Sequence, residues 1–167
     1  NVELGTDSFL KKNYKQARGY YQKALSREAK NEDALLGLGQ CEYYLERDDE
    51  AKAVFKKLIE VDPYNIDGYL YLGKIAYAND EYKIASDYAK KALDIAPDSY
   101  ECNMDWGMYE RYLGHYKNAL DAWTKAISIE PDYFLAYAYR AGLYDEQDDG
   151  ENALNDYLMV VKLNPQY

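Results

Sequence analysis

The chain has 167 residues, a formal net charge of −10 and an aromatic content of 16%, most of it from 21 tyrosines. So acidic a chain has no basic face with which to displace counterions from nucleic acid or to meet anionic lipid, which excludes a nucleic-acid partner. No stretch reaches the roughly 18 apolar residues of a membrane span, and Cys41, Cys102 and the lone His115 make no zinc set or catalytic triad, so no cofactor or metal is expected.

In chain order the strongest signal is a ladder. Ala17, Ala51, Ala85, Ala119 and Ala153 recur every 34 residues, in phase with Pro63, Pro97, Pro131 and Pro165, and with Gly5, Gly39, Gly73 and Gly107, Ala141 taking the next glycine slot. Such a period means one structural unit repeated. The units run 1–31, which lacks its first three positions, then 32–65, 66–99, 100–133 and 134–167, as a single array. Asn1 falls inside a unit, so a fragment of a longer protein is expected.

Each unit holds two apolar-periodic stretches. In the second unit they are Ala34, Leu35, Leu38 and Tyr43, then Ala51, Val54, Phe55, Leu58 and Ile59, whose spacings of three and four predict two amphipathic helices. Arg47-Asp48-Asp49, Asn79-Asp80-Glu81, Leu113-Gly114-His115 and Gln147-Asp148-Asp149-Gly150 read as the turns between them. His115 is expected at the surface or as a cap, and the pairs Asp48-Asp49 and Asp148-Asp149 as solvated turn residues, which gives no support to an enzyme. At the unit boundaries a proline stops one helix, and Asn65, Ser99 and Asp132 are candidate caps for the next.

Small and large residues alternate between the two helices. Glycine inside a helix costs about 1 kcal/mol relative to alanine, so Gly39, Gly73 and Gly107 predict close approach of a neighbouring helix. The alanine ladder does the same on second helices. Facing them stand Leu38, Leu72 and Trp106 on first helices, and Tyr21, Phe55, Trp123 and Tyr157 on second helices. Both cysteines are expected as buried thiols.

The motif W-x2-L-G-x2-Y, then A-x3-F, then P is carried by Leu35-x2-Leu38-Gly39, Ala51-x3-Phe55 and Pro63. It returns as Tyr69-x2-Leu72-Gly73, Ala85 and Pro97; as Asn103-x2-Trp106-Gly107, Ala119-x3-Trp123 and Pro131; and as Tyr137, Tyr144, Ala153-x3-Tyr157 and Pro165. The chain therefore resembles the tetratricopeptide repeat over its whole length. Departures are local: Ala89 replaces the second-helix aromatic and predicts looser packing, Glu42 and Glu110 take the tyrosine slot, and Arg140-Ala141 replaces Leu-Gly.

The resemblance implies an all-α fold, a right-handed α-solenoid of antiparallel helix pairs, whose first helices line a concave groove for an extended peptide or a partner helix. It places groove residues at positions 2, 5, 9, 12 and 13 of a unit. These are Asp33, Leu36, Gln40, Tyr43 and Tyr44; Asp67, Leu70, Lys74, Tyr77 and Ala78; Glu101, Met104, Met108, Arg111 and Tyr112; and Leu135, Ala138, Gly142, Asp145 and Glu146. The expected partner is a protein or peptide with basic residues. Relatives that hold a chaperone's C-terminal carboxylate place cations where this chain has Leu36, Leu70 and Met104 or acids, so that ligand is not expected. An alternative is self-association through the C-terminal helix, which presents Ala153, Leu154, Tyr157, Leu158, Val161 and Leu163. A regulatory segment of a larger enzyme is a third reading.

Overall fold

The computed structural model describes Asn1 to Gln166; Tyr167, which closes the last predicted unit, lies outside the described residues. Among them are ten α-helices and no strand: α1 Val2–Leu10, α2 Tyr14–Leu25, α3 Glu32–Tyr44, α4 Asp48–Val61, α5 Ile66–Ala78, α6 Tyr82–Ile95, α7 Tyr100–Tyr112, α8 Tyr116–Ile129, α9 Phe134–Glu146 and α10 Gly150–Leu163. Odd-numbered helices are the first helices of the repeat and even-numbered ones the second. They group into two compact units, one spanning Asn1–Asn79 and the other beginning at Asp80.

Each unit repeats one local plan. First helices start on a capping side chain where the sequence offers one: Asn31 accepts from the Ala34 amide at 2.9 Å, Asn65 from Gly68 at 2.9 Å and Ser99 from Cys102 at 3.3 Å. Asp132 does not cap α9. The N-cap is Tyr133, which makes no side-chain capping bond, so this boundary lies one residue later than expected.

The turns between paired helices share a feature that composition conceals. Lys12, Glu46, Asp80 and Asp148 have φ between 58° and 60°, and Gly114 has φ 77°, all at the same register of the repeat. This left-handed residue closes a helix C-terminus: the amides of Asn13, Arg47, His115 and Asp149 donate to the carbonyls of Ser8, Glu42, Glu110 and Tyr144, each at 2.9 Å. Satisfying those carbonyls offsets the roughly 1 kcal/mol that a side chain costs in this conformation. Only Gly114 is free of that cost.

Packing follows the small-against-large pattern. Ala17, Ala51, Ala85 and Ala119 are fully buried, and a Cβ added to Gly39 would lie 2.6 Å from the Phe55 ring, one added to Gly107 2.6 Å from Trp123 Nε1. In the first unit Tyr21 packs with Ala17, Ala24, Ala34, Leu38 and Cys41; in the second, Trp123 packs with Met104, Ala119, Ala126, Ala136 and Leu143. Ala89 is buried despite its lost aromatic. Tyr157 differs from its register mates Tyr21, Phe55 and Trp123, being 40% exposed. Both cysteines are free and buried, and burial pushes the Cys41 thiol up to about 12.

Two of the departures from the repeat motif, Glu42 and Glu110, are buried polar ties. Glu42 takes the Arg18 guanidinium of α2 at 2.7 Å and that of Arg47 at 2.9 Å. Glu110 occupies the same slot of α7 and accepts from Ser86 Oγ of α6 at 2.5 Å and Asn118 Nδ2 at 2.6 Å, with His115 Nδ1 at 3.0 Å. Arg18 and Ser86 stand at one register, as do Arg47 and His115. His115 is thus the N-cap residue of α8 by position, but its ring serves Glu110 instead of the helix amides.

Burial pushes the Glu110 carboxyl up, but the hydrogen bonds from Asn118, Ser86 and His115 outweigh it and hold the group below its ordinary value. A carboxylate whose folded value is depressed contributes stability that is fully present above its unfolded value and is lost as pH falls through the folded one. Glu110→Gln is therefore expected to flatten the loss of stability on the acid side of pH 4.5, measured by denaturant unfolding across a pH series. An unchanged acid limb would contradict the assignment.

Candidate peptide-binding faces

In the first unit, α3 lies beside both α1 and α5. Rings from all five helices of this unit assemble into a continuous run: Phe9 on α1, Tyr14 on α2, Tyr43 and Tyr44 on α3, Phe55 on α4 and Tyr71 on α5. Tyr14 stacks on Tyr44 with centroids 5.0 Å apart, and Phe9 meets the two at 5.3 and 5.7 Å. Tyr43 meets Tyr44 edge-on at 5.4 Å and Tyr71 at 5.2 Å, and Tyr71 stacks on Phe55 at 4.8 Å. Lys74 Nζ lies 5.4 Å from the Tyr71 centroid. Burial and the neighbouring Tyr44 hydroxyl push the Tyr71 phenol well above its ordinary value, so it remains a neutral hydrogen-bonding group.

The run is buried at Phe55 and open at Tyr44, which is 47% exposed. Tyr43, Tyr44, Glu46, Asp48 and Ala78 border an open recess of about 470 Å3. Asp33 and Asp67 are exposed in the first turns of α3 and α5, Leu36, Gln40, Lys74 and Tyr77 are partly buried, and Leu70 is only 4% exposed. The rigid aromatics, with few rotatable bonds and a polar tip, suit contact with a peptide backbone and its apolar side chains.

The second unit is more mixed. Glu101 is exposed, Met108 is partly buried, and Met104 is 8% exposed because it packs with Trp123. Arg111 is engaged by Glu146, which lies on α9. Tyr112 is 52% exposed and stacks on Tyr82 at 4.8 Å. A recess of about 260 Å3 is bordered by Arg111, Tyr112, Tyr116 and Glu146.

The site residues taken from the repeat positions thus differ in exposure: most, polar, aromatic or apolar, are exposed or half-buried, whereas Leu70 and Met104 are 4% and 8% exposed. Phe9, Tyr14 and Tyr71 were not among them. Phe9 had a visible signal, since it stands 34 residues before Tyr43. Tyr14 and Tyr71 lie at registers outside the expected groove, and ring contacts tie them to Tyr43 and Tyr44. Among the described residues no group of His, Cys, Asp and Glu could hold a metal ion, and no helix is long and apolar enough to cross a membrane.

The fold is an α-solenoid of helix hairpins, a class of protein–protein interaction module. Two family models, both described as tetratricopeptide repeat, match residues 9–67 and 104–167, and the chain belongs to that family. Similar solved structures include that of MamA, 22% identical with a TM-score of 0.88, covering 98% of this chain and 95% of that one. Another is YrrB, described as "a TPR protein with an unusual peptide-binding site", 21% identical with a TM-score of 0.82, covering 99% of this chain and 86% of that one. A third is a thermophilic TPR protein from Thermus thermophilus, 20% identical with a TM-score of 0.75, covering 99% of this chain and 90% of that one. At these identities the likeness is one of fold. Comparison with curated proteins gave no match.

Proposed function

We propose that the chain binds an extended peptide or a partner helix on its first-helix faces, with the aromatic run of the first unit as the principal contact. The observation that carries this reading is the open end of that run: Tyr43 and Tyr44 are pre-ordered by ring contacts with Tyr14, Phe9 and Tyr71, yet keep surface for a ligand. Pre-ordering lowers the entropy lost on binding. The acids Asp33, Asp67 and Glu101 in the first turns of their helices and the net charge of −10 favour a partner with basic residues. The described peptide-binding site of YrrB, a protein of the same fold, is consistent with such a role. Binding, rather than catalysis, is the task to which these residues are suited.

Changing Tyr43, Tyr77 and Tyr112 together to alanine is expected to abolish capture of a partner in a pull-down while leaving the helical circular-dichroism signal in place. Capture at wild-type level would sink the proposal.

A second reading has its own observation. Leu154, Leu158 and Val161 are each 59% exposed on α10, an apolar stripe that further sequence or a second copy of the chain would cover. Light scattering distinguishes it: a chain that is strictly monomeric, with α10 protected from hydrogen exchange, counts against association through this helix.

A further inference from the structure

We infer that the second unit carries, between the N-terminal ends of α7 and α9, a pocket for one arginine side chain of a partner peptide. This rests on the peptide-binding reading and narrows it. The site is a recess of about 460 Å3 whose walls include Tyr100, Tyr133 and Tyr139 and the carboxylates Glu101, Asp105 and Glu130, with Met104 and Leu135 completing it. Its volume falls within the range of clefts that hold small ligands, and three tyrosines and three acids make up most of its wall.

The rings are fixed from behind. Tyr100 and Tyr133 lie 5.3 Å apart at 59°, and Tyr139 stacks on the buried Trp123 at 5.7 Å. Tyr133 and Tyr139 nevertheless remain 54% and 37% exposed. They therefore offer ring surface without having to be ordered on binding.

The sign of the field follows from a count. The N-termini of α7 and α9 contribute roughly half a positive charge each and the C-terminus of α8, capped at Glu130, about half a negative one, alongside three carboxylates. No lysine or arginine is among the residues lining the recess. The pocket is negative, which rejects a chain-terminal carboxylate and accepts a cation. Between the two biological cations, guanidinium is planar, less strongly hydrated and able to stack on a tyrosine while forking to a carboxylate; ammonium is a hydrated point charge. Arginine is accordingly the occupant.

The test uses 15N-labelled full chain titrated with acetyl-Gly-Arg-Gly-amide, with the citrulline and lysine analogues as comparisons. Saturable shifts are expected at the amides of Glu101–Asp105 and Tyr133–Tyr139 with the arginine peptide, weaker ones by about threefold with lysine, and none with neutral citrulline. The variant Glu101→Gln/Glu130→Gln, which alters two exposed side chains, is expected to weaken arginine binding about tenfold with its spectrum otherwise intact. Equal shifts with citrulline, absence of shifts at these amides, or undiminished binding by the double variant would overturn the pocket. Such a result leaves the Tyr43/Tyr77/Tyr112 pull-down free to succeed, and failure of that pull-down with arginine still bound here would overturn only the broader reading.

Discussion

Trp123→Ala is expected to lower stability by about 3–5 kcal/mol, read as a shift in the denaturant midpoint by circular dichroism. Trp123 is fully buried, its Nε1 donates to the Met104 carbonyl at 3.3 Å, and its ring stacks on Tyr139 at 5.7 Å. Gly107 lies against it because a Cβ there would come within 2.6 Å of the indole, so glycine has nothing with which to fill the space left by alanine. The core of Met104, Ala119, Ala126, Ala136 and Leu143 would enclose a cavity. The register mate gives the contrast: Tyr157 is 40% exposed, and Tyr157→Ala is expected to cost less than half as much. Equal losses at the two positions would show that repeat register, rather than local burial, governs stability.

The second large effect is expected at Asp156. This carboxylate, 7% exposed, takes Arg140 Nε at 2.7 Å and Nη2 at 2.8 Å, while Arg140 Nη1 reaches Thr124 Oγ1 at 2.9 Å. Hydrogen bonding to Asp156 raises the Arg140 guanidinium above its ordinary value. Asp156→Ala strands a largely buried cation. Removing one partner of a buried pair costs about 3–5 kcal/mol, which the 17% exposure of Arg140 reduces toward about 2–3 kcal/mol through solvent screening. Replacing both residues, as Arg140→Leu/Asp156→Leu, is expected to restore much of the loss, because no charge is then left unpaired. A double variant as unstable as Asp156→Ala in denaturant unfolding would mean that the pair, not the stranded charge, is what matters.

The fold was legible because its cause is periodic. The alanine, glycine and proline ladders each answer a packing or termination requirement that recurs in successive hairpins, so helix number, pairing and the small-to-large contacts could be read directly. Three features were hidden for separate physical reasons. The left-handed turn residue is lysine, glutamate or aspartate at four of five positions, since the capping hydrogen bonds fix its conformation and glycine is not required. Glu42 and Glu110 looked like losses of a tyrosine, but their partners Arg18 and Ser86 come from the preceding hairpin, 24 residues away. Arg111, at a groove position of the repeat, pairs with Glu146, 35 residues on, a contact that register alone does not reveal.

The candidate binding faces were only partly legible. Register selects which helix face a residue occupies, so Tyr43, Tyr44 and Tyr112 could be named. It does not fix which rings touch, and Phe9, Tyr14 and Tyr71 enter through contacts whose geometry depends on rotamers. Nor does it show how much surface a side chain keeps, as the low exposure of Leu70 and Met104 illustrates.

The proposed function has partners docking on first helices rather than second ones. Site-specific photocrosslinking tests it most directly, with a photoreactive phenylalanine placed in turn at the exposed positions Tyr44 and Tyr112 on α3 and α7, and Lys57 and Lys117 on α4 and α8. Partner adducts are expected from Tyr44 and Tyr112 and not from the two lysine positions. Adducts confined to Lys57 and Lys117 would place the interface on the second helices and rule out docking on the first.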